Sequence, residues 1–162
     1  MKRLASAGLC VFMESQVTYL GHKVSKEGIQ PLKDKVDAIT NAPAPKNVSE
    51  LKSYLSMINY YQKFLPNMSS ALAPLNELLR KETRWYWGKE QMQAFQKSKE
   101  FLRSCRLLVH NDSRKELTLA CDASQFGLGA VLSHRMDYGS EHPIAYASRT
   151  QSYQQQLRQQ RL

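Results

Sequence analysis

Apolar and polar residues alternate with two different periods along the chain. Between positions 47 and 104, apolar side chains recur at helical spacing in three runs, interrupted at Pro66 and near Pro74. Asn47 and Glu50 have the spacing of a capping box in front of the first run. The pattern predicts three helices, with Pro66 ending the first and Pro74 in the first turn of the second. The apolar side predicted for the third helix consists of Met92, Phe95, Phe101 and Leu102.

Residues 117–150 follow the two-residue period of β-strands. The first run alternates apolar residues with small or polar ones and ends at Asp122. Gly127 opens a second run, and turn-forming residues at 137–140 precede a third that is predicted to start at Pro143. The pattern predicts a three-stranded antiparallel meander.

The N-terminal part of the chain carries weaker signals. Positions 17–24 alternate as a strand pair, and 25–28 form a polar turn, which together predict a short hairpin. Positions 1–12 carry a weak helix-to-strand signal. Residues 31–47 contain a short helix and then the stiff connector Ala-Pro-Ala-Pro at 42–45, where we place a domain boundary.

These elements predict an α+β fold with a short N-terminal β-hairpin, a three-helix bundle and a three-stranded antiparallel meander. The predicted units are residues 1–30, residues 31–106 and residues 107–150. Residues 107–109 are predicted to be a short buried strand or link. The glutamine-rich tail at 151–162 is expected to be frayed or disordered.

The charge of the chain favours a polyanionic partner. It has 23 basic and 14 acidic residues, a net charge of +9 and a pI near 9.6. Residues 46–106 hold 11 of the basic and 5 of the acidic residues. Nucleic acid is the simplest partner for such a surface, and a soluble basic protein with dispersed lysines is the alternative.

Cysteine usage and hydropathy indicate the compartment. Cys10, Cys105 and Cys121 show no zinc spacing, and their odd number argues against a disulfide framework. A reducing compartment is therefore expected. No apolar run approaches the length of a membrane span, and the N-terminus lacks the apolar core of a signal peptide. We expect an intracellular protein, cytoplasmic or nuclear, with no membrane partner.

Several ordered motifs resemble the reverse transcriptase polyproteins of gypsy-type LTR retrotransposons. CDAS, GLGAVLS and HPIAYASRT are similar to the start of their RNase H domain. CVF followed by VTYLGHKVSKEGI is similar to the end of their palm, and ELKSYLSMINYYQKFLP with LAPLNELL is similar to their thumb. The resemblance assigns residues 1–30 to a palm remnant, 31–106 to a thumb-like unit and 107–150 to the first strands of a truncated RNase H-like fold.

The resemblance also implies an activity and its residues. The family synthesises DNA on RNA templates and removes RNA from hybrids, with Mg²⁺ as the cofactor. Asp122 takes the role of a metal-binding catalytic carboxylate. The YLGH turn takes a primer-contacting role, and a plain edge hairpin is the alternative. The residues of that turn are Tyr19, Leu20, Gly21 and His22.

A thumb grips the backbone of the template–primer duplex. Basic side chains on the helical unit would then contact phosphates and position the duplex without reading its sequence. Ordinary solvated lysines are the alternative, and aromatic residues at helical spacing are more often core than stacking surfaces. The set of phosphate contacts that we predict is Lys52, Lys63, Arg80, Lys81, Arg84 and Lys89.

The chain departs from the family pattern where the chemistry should lie. Two-metal hydrolysis needs clustered carboxylates, and each Mg²⁺ needs several oxygen ligands. Residues 151–162, where the family has a glutamate on a helix, contain no acidic residue, and no Asp-Asp pair occurs in the sequence. Glu141, the last acidic residue, is predicted to lie in a loop. We therefore expect a degenerate, catalytically inactive fragment in which Asp122 alone binds no Mg²⁺ stably.

The sequence leaves three hypotheses open. The first is an inactive remnant that binds the backbone of an RNA–DNA hybrid or another duplex. The second is a hybrid ribonuclease centred on Asp122 within a longer polyprotein, and the third is a protein-interaction adaptor that uses an exposed face of the meander. Apolar residues of the meander would need cover from the helices, from the rest of the polyprotein or from a protein partner. They are Leu117, Leu119, Val131, Leu132, Ile144 and Tyr146.

Overall fold

A computed structural model of the chain describes residues 13–81, 83–105, 107–124 and 127–150. This part contains four α-helices and two three-stranded antiparallel sheets, which confirms the predicted α+β class. The strands are β1 (Gln16–Tyr19), β2 (His22–Ser25), β3 (Gly28–Pro31), β4 (Leu117–Ser124), β5 (Gly127–Arg135) and β6 (Glu141–Thr150). The helices are α1 (Lys33–Thr40), α2 (Val48–Tyr60), a 3₁₀ helix (Gln62–Phe64), α3 (Met68–Glu77) and α4 (Lys89–Arg103).

Two predictions concern segments outside the described residues. They are the helix-to-strand signal at 1–12 and the frayed tail at 151–162. The domain divisions that we drew from the sequence also stay predictions.

The N-terminal sheet has one strand more than the predicted hairpin. Its order is β1-β2-β3, and both pairings are antiparallel. On the outer side of β3, the N–H and C=O of Ile29 exchange hydrogen bonds with Leu108, at 2.8 and 2.9 Å. Gly28 has a φ of +147°, and a side chain there would run into the backbone of Leu108. The predicted link at 107–109 therefore closes this sheet at its edge.

The helices do not follow the prolines as predicted. α2 ends at Tyr60, and the 3₁₀ helix intervenes before Pro66. α3 begins at Met68 and holds Pro74 in its interior, so the prediction that Pro74 lies in the first turn is wrong. Met68 and Leu75, on either side of the proline, are 2% and 0% exposed. Tertiary packing of this face therefore stabilises a helix that local propensity disfavours.

The start of α2 forms as the sequence predicts. Asn47 is the N-cap, and its Oδ1 accepts a hydrogen bond from the Glu50 N–H at 2.9 Å. The Glu50 carboxylate reaches back to the Lys46 N–H at 2.8 Å. Two backbone donors at the helix start are thereby satisfied by side chains.

The buried side of α4 differs from the prediction at one end. Met92 is 39% exposed, whereas Ser98 and Lys99 are buried. These polar groups are tolerated because each has a partner. Ser98 bonds the hydroxyl of Tyr54, and Lys99 Nζ donates to the Ala42 carbonyl at 2.6 Å. The largest fully buried apolar side chains are Phe64, Phe95, Leu51, Ile58, Leu65, Met68, Leu75 and Leu102.

The C-terminal sheet has the predicted order β4-β5-β6. β6 begins at Glu141, which lies opposite Arg135. Predictions of a loop position for Glu141 and of a strand start at Pro143 are therefore wrong. Backbone hydrogen bonds close the turn across residues 136–140, so the strand resumes directly after it.

The two faces of this sheet have different surroundings. Directly opposed residues point to the same side of a sheet, so Asp122, Gly129 and Ser148 share one face. This face lies against α3 and the 3₁₀ helix, where Gln62 donates to Ser148. We call it the packed face. The open face carries Cys121 and the side chains that flank it on β4, β5 and β6.

The helices cover only part of the apolar surface of the meander. Tyr146 on the packed face packs against the main core. Leu117 and Leu119 on β4 are 50% and 65% exposed. The apolar side chains of β4 therefore remain uncovered. The part of the sheet nearest to α3 is covered by the helices.

Candidate nucleic-acid interface and carboxylate site

The turn between β1 and β2 is held against the helical unit by aromatic rings. The ring of His22 is stacked on that of Tyr60, with centroids 5.3 Å apart and planes 8° apart. Tyr61 meets the same ring edge-on at 5.8 Å, and Phe64 lies 5.3 Å away. The Tyr60 hydroxyl donates a hydrogen bond to the carbonyl of Leu20. The hairpin is therefore fixed relative to the end of α2.

The tip of this hairpin has the geometry of a tight turn. Leu20 and Gly21 have φ angles of +45° and +73°, as a two-residue hairpin with right-handed twist requires. A side chain at Gly21 would also come within 3.3 Å of the Tyr61 hydroxyl. Tyr19 and Leu20 are 66% and 65% exposed. The turn thus presents an aromatic and an aliphatic side chain to solvent while its base is anchored.

His22 is buried in this cluster. Its Nδ1 has no hydrogen-bond partner within the described chain. Burial first, and then the positive charge of Lys63, lower the pKa of His22 from 6.5. Lys63 itself is exposed, with Nζ 5.1 Å from the centroid of the Phe64 ring. A positive charge therefore stands beside the hairpin without a carboxylate in this cluster to neutralise it.

One side of α2 continues the hairpin. Lys52, Ser56 and Tyr60 are spaced four residues apart and are all exposed, so they lie along one stripe of the helix. Since Tyr60 contacts the hairpin, the stripe runs from Lys52 directly to the turn. We call the exposed surface formed by Tyr19, Leu20, Lys52, Tyr60 and Lys63 the hairpin surface.

The remaining basic residues of the predicted set lie elsewhere. They belong to the segment between α3 and α4 or to the first residue of α4, and all are exposed: Arg80, Lys81, Arg84 and Lys89. Trp85 and Trp87 in this segment stack on each other at 5.8 Å, and Trp87 meets Phe95 edge-on at 5.8 Å. These tryptophans therefore pack against the core. The predicted phosphate contacts form two groups, of which one adjoins the hairpin.

Asp122 lies near the end of β4, on the packed face and exposed. It is opposite Gly129, where a side chain would come within 2.6 Å of Asn67 Oδ1. Pro66 and Asn67 thus reach under the sheet beside the carboxylate. A shallow cavity of about 210 Å³ between them is also lined by Val131 and Tyr146.

The described residues around Asp122 do not fit the pair of magnesium ions that the resemblance implies. Nowhere in the described ranges do three or more His, Cys, Asp or Glu side chains come together as a possible metal site. Asp112 is bound to Arg114, with two hydrogen bonds of 2.9 Å, and this guanidinium holds the pKa of the carboxyl well below its usual range.

Sequence reasoning missed the residues that position the site. Tyr60, Tyr61 and Gln62 follow one another at the end of α2, and each anchors a segment that is distant in sequence. The only signal for them was the surplus of aromatic residues on this helix. No helix in the described part of the chain is long and apolar enough to cross a bilayer.

Part of the chain matches a known protein family. Residues 87–161 match the family described as the RNase H-like domain found in reverse transcriptase. This part of the chain is therefore similar to the RNase H-like domain of reverse transcriptases. Solved structures of reverse transcriptases also resemble the chain. The foamy viral protease-reverse transcriptase in complex with double-stranded DNA superposes with a TM-score of 0.73 at 25% identity, over 88% of this chain and 30% of that one. Its complex with an RNA/DNA hybrid gives a TM-score of 0.71 at 25% identity, over 88% of this chain and 19% of that one.

Two transposon polyproteins match most of the chain at a higher sequence identity than these structures. The Tf2-3 and Tf2-4 transposon polyproteins of Schizosaccharomyces pombe are each 39% identical over 139 residues, which is 86% of this chain and 10% of each relative. These matches confirm the resemblance to the reverse transcriptase and RNase H region of gypsy-type LTR retrotransposon polyproteins. It spans about a tenth of the length of the curated relatives that it matches.

Proposed function

We propose that this chain binds the sugar–phosphate backbone of a nucleic-acid duplex through the hairpin surface and does not cleave the strand it holds. The observation that carries the proposal is the anchoring of the hairpin by Tyr60. Because the ring of Tyr60 is stacked on His22 and its hydroxyl bonds Leu20, the exposed tip and the stripe of α2 that carries Lys52 form one surface.

The chemistry of that surface suits a phosphate backbone. Lys52 and Lys63 are exposed cations without an ion pair among the described residues, so both can contact phosphate oxygens. Tyr19 and Leu20 supply contact area at the tip. The foamy viral relatives are seen with double-stranded DNA and with an RNA/DNA hybrid, and we extend that kind of ligand to this chain. The basic segment between α3 and α4 would add a second, weaker set of phosphate contacts.

Duplex binding should be measured by fluorescence anisotropy over a range of salt concentrations, with a hybrid and with a DNA duplex. Each lost phosphate contact should lower the slope of log affinity against log salt by about 0.9. The pair Lys52→Gln with Lys63→Gln should therefore lower the slope by about 2. A matched control is Lys33→Gln with Lys35→Gln, two exposed cations on α1. An equal decrease of the slope for both pairs would contradict binding through the hairpin surface. It would indicate only a general attraction of nucleic acid to a basic protein.

The absence of cleavage is part of the proposal and rests on Asp122. Among the described residues, Asp122 is not part of any group of three or more His, Cys, Asp or Glu side chains that could hold a metal ion, whereas two-metal hydrolysis needs several carboxylates. Incubation of the same hybrid with Mg²⁺ should leave the RNA strand intact. Cleavage that disappears in Asp122→Asn would overturn this half of the proposal and establish a hybrid ribonuclease.

A further inference from the structure

Residues 107–116 lie between α4 and β4 and contact both sheets. We call them the connector. The N–H and C=O of Leu108 bond Ile29 of β3, at 2.9 and 2.8 Å. The N–H of the next residue, Val109, donates to the Pro143 carbonyl of β6 at 2.9 Å. The first half of the connector therefore has the N-terminal sheet on one side and the C-terminal sheet on the other.

The second half of the connector closes on the ring of His134 in β5. The Asp112 N–H lies 2.9 Å from His134 Nε2, and the Glu116 carbonyl lies 3.2 Å from Nδ1 of the same ring. His134 is 1% exposed, so this ring is inside the protein rather than on its surface. One buried side chain therefore holds both ends of the turn at 112–116.

These two partners determine where the ring carries its proton. A backbone N–H only donates and a carbonyl only accepts, so Nε2 must be the acceptor and Nδ1 must carry the hydrogen. The ring that fits this site is the uncharged Nδ1–H tautomer. A second proton, taken up from solvent, would use the Nε2 lone pair and place two N–H groups against each other. The bond from the Asp112 N–H to His134 would then have to break.

The surrounding charges do not offset this loss. The Asp112 carboxylate is occupied by Arg114, whose N–H and Nε bond Oδ1 at 3.1 and 2.9 Å and whose Nη2 bonds Oδ2 at 2.9 Å. Glu116 and Glu141 are exposed, so water and salt screen their charge. Leu117 of β4, opposite the ring, carries no charge. The titratable and charged groups around the ring on the connector, β5 and β6 are His110, Asp112, Arg114, Lys115, Glu116, Arg135, Glu141 and His142.

His110, in the same connector, has the opposite proton requirement. Its Nε2 lies 2.6 Å from the Ser25 carbonyl at the end of β2, so this nitrogen must donate. A second proton on the other ring nitrogen leaves that bond in place. The bonds of Leu108, Val109 and His110 therefore do not depend on the charge of a histidine, whereas the bond of Asp112 does.

We propose that His134 is a proton-sensitive switch in the connector between the two sheets. In its uncharged form the ring closes the turn at 112–116 on β5. Uptake of a proton at Nε2 breaks the bond from the Asp112 N–H and releases that end of the turn, while the first half of the connector stays bound between the sheets. The switch does not depend on nucleic-acid binding.

NMR of the full chain tests the proposal without a substitution. At about pH 8, the ring nitrogens of His134 should show a hydrogen on Nδ1 and none on Nε2. Protection of the Asp112 N–H from hydrogen exchange, relative to an unfolded peptide at the same pH, should fall about tenfold between about pH 8 and about pH 5. The Leu51 N–H, bonded to the Asn47 carbonyl at 3.0 Å in α2, is the internal reference. A hydrogen on Nε2, or a loss of protection at Asp112 no larger than at Leu51, would overturn the proposal.

A pair of glutamine variants separates His134 from the other titratable groups. The amide of His134→Gln has one acceptor and one donor for the same two partners and takes up no proton in this pH range. Protection of the Asp112 N–H should then follow the Leu51 reference at every pH. The matched control is His142→Gln, at an exposed position opposite His134 on β6, and it should keep the pH response of the unsubstituted chain. A response that persists in His134→Gln, or that vanishes in His142→Gln, would contradict the assignment to His134.

Discussion

The ring of His22 is stacked on that of Tyr60, and this contact joins the N-terminal sheet to the helical unit across 38 positions of sequence. The stacking is nearly parallel, at 8°. The Tyr60 hydroxyl adds a hydrogen bond to the carbonyl of Leu20 at the tip of the same hairpin. One side chain of α2 therefore fixes both the base and the tip of the turn, which explains how the hairpin and the stripe of α2 that carries Lys52 form one surface.

The first prediction concerns the coupling between these two rings. Tyr60→Ala should destabilise the fold by about 1–2 kcal/mol, because it removes an aromatic pair and a hydrogen bond. Tyr60→Phe keeps the stacking and should cost about 1 kcal/mol or less. Both effects are measurable by urea unfolding. In a double-mutant cycle with His22→Ala, additive losses would show that the rings are not energetically coupled.

The second prediction follows from the lowered pKa of His22. Burial disfavours the imidazolium, so below pH 6.5 the unfolded chain binds a proton that the folded chain resists. The free energy of unfolding should therefore fall as the pH drops through 6.5 and level off below the folded-state pKa. His22→Phe keeps an aromatic ring but cannot be protonated, and the difference between the two pH profiles isolates His22. Parallel profiles would contradict the assigned pKa direction.

The parts of the fold that sequence predicts are those fixed by near neighbours. Asn47 caps α2 because its partner is three residues away, and the meander forms from successive strands with short turns. β3 escaped prediction because its outer partner, Leu108, is distant in sequence. The interior position of Pro74 in α3 and the exposure of Met92 were not predicted for the same reason, because packing between elements overrides local propensity there.

For the candidate site, too, the sequence predicts local motifs but not contacts between distant residues. Motifs identified Asp122 and the YLGH turn, but nothing local indicates that Asp122 faces Asn67 or that Tyr60 holds the turn. The six basic residues predicted as phosphate contacts form one set in the sequence analysis. In the structure, Lys63 and the α2 stripe lie by the hairpin, and the other four lie between α3 and the first residue of α4.

The third prediction concerns the buried hydroxyl pair between α2 and α4. Ser98 Oγ donates to the Phe95 carbonyl at 2.7 Å, so the Tyr54 hydroxyl must donate to Ser98 Oγ, also at 2.7 Å. Burial raises the pKa of Tyr54 to about 12. Ser98→Ala leaves this phenol without an acceptor and should destabilise the fold by about 1–3 kcal/mol. In thermal or urea unfolding, adding Tyr54→Phe to Ser98→Ala should recover part of that loss. A double variant less stable than Ser98→Ala alone would argue against an unsatisfied hydroxyl as the cause.

The fourth prediction concerns how the C-terminal sheet sits on α3. A side chain at Gly127 would lie 2.5 Å from Ser69 Oγ and 2.7 Å from the Arg149 carbonyl, which is part of the β5–β6 ladder and cannot move alone. Gly127→Ala should therefore destabilise the fold by about 1–3 kcal/mol. Gly129→Ala is the matched control on the same strand and face. Its nearest contact is Asn67 Oδ1 at 2.6 Å, the end of a side chain that can rotate away, and the next lies at 3.7 Å. Urea unfolding should rank Gly127→Ala as clearly the more damaging change. The reverse order would mean that the Asn67 side chain resists displacement more than Ser69 and the Arg149 carbonyl do.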